Sequence, residues 1–187
     1  MPFFASVMAK GLTVSTLAII AFRCRQPLLG LALAFGSLGD VLLDLDPARL
    51  FVFGLGAFLL GHLTYITLFV RRRLRAAAPL WKPRLAIVAF LLVYIVAFSW
   101  WLSPSLGALA VPVYAYMGAI TLMAISAVGA GFRRPWVVAG AICFVASDSI
   151  LGAAKFAAHI PGRDFLVWTT YCLAQYGLAL GCLTEER

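Results

Sequence analysis

Asp148 stands in Ala141-Ile-Cys-Phe-Val-Ala-Ser-Asp-Ser-Ile-Leu-Gly-Ala-Ala154, a stretch otherwise apolar enough to cross a bilayer. Asp40 occupies a second such stretch, residues 31–43, and His62 a third, residues 51–65. An ionisable group at membrane depth costs free energy that packing does not explain, and it marks a functional site by default. Groups of this kind pass protons or line ion pathways. Two carboxyls and an imidazole on three separate spans therefore ask for one explanation, a shared polar cavity.

The elements that must position them follow from composition. Of 187 residues, 64% are hydrophobic and only 12% charged, with a mean hydropathy of +1.00. An ordinary soluble domain has an apolar share nearer half, so this is a polytopic membrane protein. Seven apolar spans of the length a bilayer requires can be drawn, at about 3–22, 27–45, 48–70, 84–103, 106–128, 135–156 and 164–183. Little remains outside them, which predicts one integral membrane domain over 1–187. The first span lacks a basic flank and a small-residue cleavage site, and carries Lys10 midway. It reads as a retained helix rather than a signal peptide.

The formal charge of +8 is distributed unevenly. Eleven of the fifteen basic residues fall on alternate loops or the C-terminal tail: Arg23, Arg25, Arg71, Arg72, Arg73, Arg75, Lys82, Arg84, Arg133, Arg134 and Arg187. The positive-inside rule then places the N-terminus outside and the C-terminus in the cytoplasm. The loop 71–84 reads as a topology signal and a contact for anionic lipids. A nucleic-acid partner is excluded, because no groove-reading or stacking pattern accompanies the charge.

Small residues recur at helical spacing: Gly36 and Gly39, then Gly54, Ala57, Gly61 and Thr64, then Gly140 and Gly152. They predict close helix contacts in an all-α bundle. Pro112 is expected to bend the fifth span, while Pro27 and Pro135 sit where helices begin. Cys143, Cys172 and Cys182 lie in spans and Cys24 in a loop, without metal-ligand spacing. They read as structural thiols, and neither metal nor cofactor is expected.

At about 1.5 Å of rise per residue, Asp148 lies about 3 Å and Asp40 about 6 Å outward of their span centres, with Lys10 a few ångströms outward and His62 and Gln175 a few inward. These groups share one slab of the membrane. Tyr171 and Gln175 are i,i+4 neighbours, as are Asp40 and Asp44; His62 and Tyr65 are i,i+3. Tyr114 and Tyr116 reach a similar level. Several readings stay open here. His62 is either a satisfied core histidine or a participant. Lys10 is either the counter-ion of Asp40 or a ligand contact, and Tyr171 and Gln175 either tie helices together or meet substrate. Asp44 and Asp46 read as solvated loop edge, Lys155 as a snorkelling side chain, and His159 as surface.

Ser37-Leu-Gly-Asp-Val-Leu-Leu43, the Gly61-His-Leu-Thr-Tyr65 segment, Ser147-Asp-Ser149 and Tyr171-Cys-Leu-Ala-Gln175, in this order and spacing, resemble the YhhN family of transmembrane lysoplasmalogenases. The resemblance covers nearly the whole chain from about Lys10, which is similar to the lysine that opens an early helix in the family. Family members usually have eight helices, and this chain starts at what corresponds to their second. Losing one span gives N-out/C-in, the topology that the basic loops give independently. Either the first helix is dispensable or the true start lies upstream.

The resemblance implies hydrolysis of the sn-1 vinyl ether of a lysoplasmalogen, giving a fatty aldehyde and glycerophospho-ethanolamine or -choline. Such a bond opens by protonation of its β-carbon, and a second carboxylate must steady the resulting cation and direct water, the division of labour found in glycosidases. Asp148 is the expected general acid and Asp40 the stabiliser and base, with exchange of roles open. His62 relays protons or holds a carboxylate. Tyr65, Tyr114, Ser147, Tyr171 and Gln175 support the site or position substrate; Lys10 meets phosphate or orients Asp40. The lysophospholipid substrate enters from the bilayer, and the absence of any Asn together with high Ala, Leu and Arg suits a GC-rich bacterium and its inner membrane. Two rivals remain, a metal-dependent seven-helix lipid hydrolase of the ceramidase type and a small proton-coupled transporter or receptor. With only His62 and His159 available, the first is short of zinc ligands.

Overall fold

The computed structural model describes the backbone of residues 2–76 and 82–185 and the side chains of 11–75 and 83–185. These residues form seven α-helices: α1 (Pro2–Arg23), α2 (Pro27–Leu45), α3 (Phe51–Ala76), α4 (Lys82–Leu102), α5 (Ala110–Gly129), α6 (Trp136–Phe156) and α7 (Arg163–Glu185). No strand occurs among the described residues. Helices α2 to α7 are each long and apolar enough to cross a bilayer, and the searched part of α1, Gly11–Arg23, is a shorter apolar helix. A helix satisfies its backbone polar groups internally, which hydrocarbon demands of any spanning segment.

Helix neighbours run α1, α2, α3, α5, α6, α7 and back to α1, so six helices close a ring while α4 packs on α5 from outside. Helix α4 is the most apolar of the six helices α2 to α7, yet little of it is buried. In lipid that combination is expected, since hydrocarbon solvates Leu and Val as well as a protein core does. At one end of the bundle Arg72 pairs with Glu185 at 2.7 Å, Glu185 accepts from the Arg134 amide, and Arg84 donates to the Phe132 carbonyl. Gln26 also donates to the Cys182 carbonyl. The basic loops and the last turn of α7 thus meet at one end, as alternate loops of an antiparallel bundle must.

Pro27 opens α2 and Pro135 precedes α6, as their missing N–H groups favour. Pro112, in contrast, falls in the first turn of α5 and not in its interior. Residues Ser103–Ser105 and Gly107–Leu109 form 3-10 turns and α5 begins at Ala110, so no bend is required of it.

Close approach is concentrated where α6 crosses α7. A Cβ on Gly140 would stand 2.8 Å from the Ala174 carbonyl oxygen and 2.8 Å from the Leu178 nitrogen, and one on Gly177 3.0 Å from the Trp136 oxygen. Backbone atoms cannot swing aside as side chains can. Gly140→Ala is therefore expected to destabilise the protein by about 1–3 kcal/mol, read as an earlier thermal unfolding in detergent. Gly118→Ala, whose Cβ meets nothing within 4 Å, is the matched control and should leave the transition in place. Gly152 also has open space, with only Leu102 at 4.0 Å; it lines a cavity instead of a helix contact.

Candidate active site

A cavity of about 590 Å³ opens among helices α2 to α7, with α4 supplying part of its wall, a size typical of small-molecule sites. Asp40 from α2 and Asp148 from α6 both line it. Tyr116, Ser147 and Tyr171 join them in its wall, and the remaining wall is largely apolar. Two hydrogen-bonded chains of side chains run from the buried interior to these carboxyls.

The first chain starts at His62, 1% exposed, whose Nε2 lies 3.1 Å from the Tyr116 hydroxyl. Tyr116 in turn donates to Oδ2 of Asp148. With Tyr116 giving its proton to Asp148, His62 must supply the Nε2–H, and its Nδ1 is left buried without a hydrogen-bond partner. The second chain starts at Tyr65, which donates to Oε1 of Gln175 at 3.1 Å. Gln175 Nε2 donates to the Tyr171 hydroxyl at 3.0 Å, and Tyr171 donates to Asp40 Oδ2 at 2.7 Å. Every link but the Gln175–Tyr171 bond within α7 crosses between helices, so α3, α5 and α6 are joined in one chain and α3, α7 and α2 in the other.

An aromatic layer separates the chains. Phe144 packs edge-on against His62 at 4.8 Å, against Tyr171 at 5.5 Å and against Phe58 at 6.4 Å between ring centroids. Gly36 makes room for the second chain, since a Cβ there would stand 2.8 Å from Gln175 Nε2. Gly39 does the same for the Phe58 ring. The small residues read from the sequence as packing elements thus also shape the site.

Seven of the nine expected site residues come together: Asp148, Asp40, Ser147 and Tyr171 in the wall, with His62, Tyr65 and Gln175 behind it. Ser147 additionally donates to the Val167 carbonyl and ties α6 to α7. Tyr114 stands apart: it is 38% exposed and absent from the cavity wall. Tyr116, two residues further along α5, holds the place instead. Lys10 lies on α1, but its side chain falls outside the described residues. Lys82 and Arg187 of the basic loops and tail are outside them too.

Two further groups sit where the sequence reading did not put them. Asp44, expected at a solvated loop edge, lines the cavity, and Lys155 lines it as well with its ammonium 4.0 Å above the Phe51 ring. Asp46 does belong to the loop, where its Oδ1 accepts from the amides of Ala48 and Arg49. His159 is exposed and outside this cavity. Among the described residues, no three His, Cys, Asp or Glu side chains converge as a metal site would require.

The arrangement matches known sequences over nearly its whole length. The model of the YhhN family covers residues 5–182. Proteins named lysoplasmalogenase from Mycobacterium bovis and Mycobacterium tuberculosis are each 36% identical over 186 residues, 96% of this chain and 69% of theirs. Lysoplasmalogenase TMEM86A of Bos taurus is 27% identical over 164 residues, 83% of this chain and 65% of its own. No solved structure matches significantly. With the family match spanning all seven helices and both carboxyl-bearing segments, the chain belongs to the YhhN family.

Proposed function

We propose that this protein, a hydrolase acting on ether bonds, cleaves the sn-1 vinyl ether of a lysoplasmalogen within the membrane, with Asp148 as general acid and Asp40 as the stabilising carboxylate. The observation that carries the reading is the pair of carboxyl groups facing one cavity, each held by a tyrosine. The lysoplasmalogenase names of the relatives supply the substrate class.

In the reaction Asp148 gives its proton to the vinyl β-carbon, and the C=C electron pair forms the new C–H bond. The positive charge then spreads over the α-carbon and the ether oxygen. Asp40 faces that charge and takes a proton from the water that adds to the α-carbon, giving a hemiacetal. Transfer of the hemiacetal proton to the glycerol oxygen breaks the C–O bond and releases aldehyde and glycerophospho-head group. Asp40's proton then returns to Asp148, and one water has been consumed. Fixed charge aimed at a developing cation in a site screened from solvent is worth more than the same charge in water.

The two chains of hydrogen bonds support this assignment of roles over the reverse. Tyr171 accepts from Gln175, so its own hydrogen points at Asp40. Reversing that direction requires a buried amide to turn over. Asp40 is thereby kept as an acceptor, which suits a carboxylate. The His62–Tyr116 chain can reverse by moving protons alone, because phenol and imidazole each donate or accept. Asp148 is the carboxyl whose partners tolerate a proton that comes and goes.

The protein belongs in the cytoplasmic membrane of a bacterium on this reading, with its basic loops against anionic lipid. The test is purified protein in detergent supplied with a 1-alkenyl glycerophosphoethanolamine. Long-chain aldehyde should appear in step with glycerophosphoethanolamine, while the 1-acyl ester analogue should be left intact. Absence of aldehyde from a folded preparation overturns the reading.

A further inference from the structure

The cavity reaches the end of the bundle opposite the basic loops. There α2 ends and α6 ends, and Phe51 at the start of α3 meets Phe156 at 6.0 Å between ring centroids. Four charged residues stand in the cavity wall besides Asp40 and Asp148: Asp44, Lys155, Arg163 and Asp164. Asp44 is one helical turn, about 6 Å, beyond Asp40, and Lys155 about 10 Å beyond Asp148. The reacting carboxyls are deep and the charged residues form the mouth.

These four are not equivalent. The Arg163 guanidinium is engaged by Asp164 through Nε at 2.8 Å and Nη2 at 2.7 Å. Lys155 and Asp44 take part in no ion pair among the described residues. Lys155 instead rests on the faces of Phe51, at 4.0 Å, and Phe156, at 5.9 Å. That contact anchors the ammonium at the cavity rim while leaving its N–H donors for an anion. The mouth therefore offers one cation and one anion without an ionic partner, across an opening.

We propose that this mouth is the recognition site for a zwitterionic phospholipid head group, with Lys155 meeting the phosphate and Asp44 the ammonium. The proposal rests on the lysoplasmalogenase reading and names which part of the substrate each end of the cavity holds. Six bonds join the vinyl α-carbon to phosphorus in such a lipid, on the order of 7 Å when extended, from bond lengths of about 1.5 Å. An ether placed between Asp40 and Asp148 thus puts its phosphate within reach of the Lys155 side chain. The apolar wall formed by Tyr94, Ile95 and Phe98 of α4 with Val113, Met117 and Ile120 of α5 is left for the alkenyl chain. A head group carrying phosphate alone would bring its negative charge up to Asp44 with nothing to offset it. A zwitterion satisfies both groups.

The test measures binding, so that it does not depend on turnover. The ligand is a 1-O-alkyl glycerophosphoethanolamine, whose saturated ether has no carbon to protonate, and Trp168 in the cavity wall reports binding by its fluorescence. Lys155→Gln should weaken this ligand about tenfold, the worth of one charge-assisted hydrogen bond, and leave 1-O-alkylglycerol unaffected. Lys155→Arg should restore the affinity. Asp44→Asn should weaken the phosphoethanolamine ligand but not the 1-O-alkyl glycerophosphate. Unchanged affinity in Lys155→Gln, or an equal loss for alkylglycerol, overturns the proposal. Soluble glycerophosphoethanolamine that binds as tightly as the lipid overturns the assignment to a lipid. Aldehyde release from the vinyl ether is scored separately, so failure of the head-group site and failure of the hydrolase reading give different results.

Discussion

Asp148→Asn is expected to lower the rate of aldehyde release by about 10²–10⁴-fold, the range that a positioned general acid supplies. Asparagine keeps the volume of the side chain and an oxygen that accepts from Tyr116, so the first hydrogen-bonded chain survives. What it lacks is a proton to give to carbon. Carbon protonation is slow without a strong acid close by, and among the described residues the cavity wall holds no third carboxyl at the depth of Asp40 and Asp148. The measurement is kcat on the vinyl ether in detergent, beside thermal unfolding of the same preparation. A rate near wild type in folded Asp148→Asn removes Asp148 from the chemistry. Wild-type unfolding with a lost rate is the expected pair of results.

The sequence shows depth along the membrane normal well and rotation about each helix axis poorly. Counting 1.5 Å per residue put Asp40, Asp148, His62 and Gln175 in one slab, and the structure joins all four to one site. Rotation is what separates Tyr116 from Tyr114. In a soluble helix the apolar stripe shows which face turns inward. Helix α5 is apolar all round, because lipid replaces water outside, so the buried set Val113, Tyr116, Met117 and Ile120 is indistinguishable from its lipid-facing neighbours by hydropathy. The same loss explains Lys155 and Asp44. Their height near a span end was legible, whereas their turn towards the cavity depends on how α6 and α2 rotate against α3. Gly140 and Gly177 supply part of that rotation by fixing the α6–α7 contact backbone to backbone. Gly177 carries the same kind of spacing signal in its own span, with Gly181 four residues on.

Neither chain of hydrogen bonds is visible in the sequence, for a related reason. His62 and Tyr116 are 54 residues apart, and Tyr171 and Asp40 131 apart. The i,i+4 pairing of Tyr171 with Gln175 is local and was readable. Its continuation to Tyr65 on one side and Asp40 on the other needs α7 to face both α3 and α2 across the interior of the bundle. Buried polar groups in a low-dielectric interior must be satisfied, which says that partners exist without saying which. The outcome is a site whose end points are found from residue type and whose wiring is found only from packing.

Asp40→Asn is the second large effect, and it should differ in kind from the first. The variant retains an acceptor for the Tyr171 hydroxyl and leaves the Asp148 proton in place, so carbon protonation is still possible. The cation that forms has lost the charge facing it, and water has lost its base. Removing one preorganised electrostatic partner of a transition state costs about 10²–10³-fold in kcat. Because the charge develops only after binding, KM should stay close to wild type, the pattern of a contact made only in the transition state. Tyr171→Phe, which withdraws the group that holds Asp40, should cost about tenfold. The double variant Asp40→Asn/Asp148→Asn should be hardly slower than Asp148→Asn alone, since a stabiliser has nothing to act on when no cation forms. Additive losses would instead mean that the two carboxyls serve separate steps, and an unchanged kcat in Asp40→Asn would leave Asp148 without the partner that this geometry gives it.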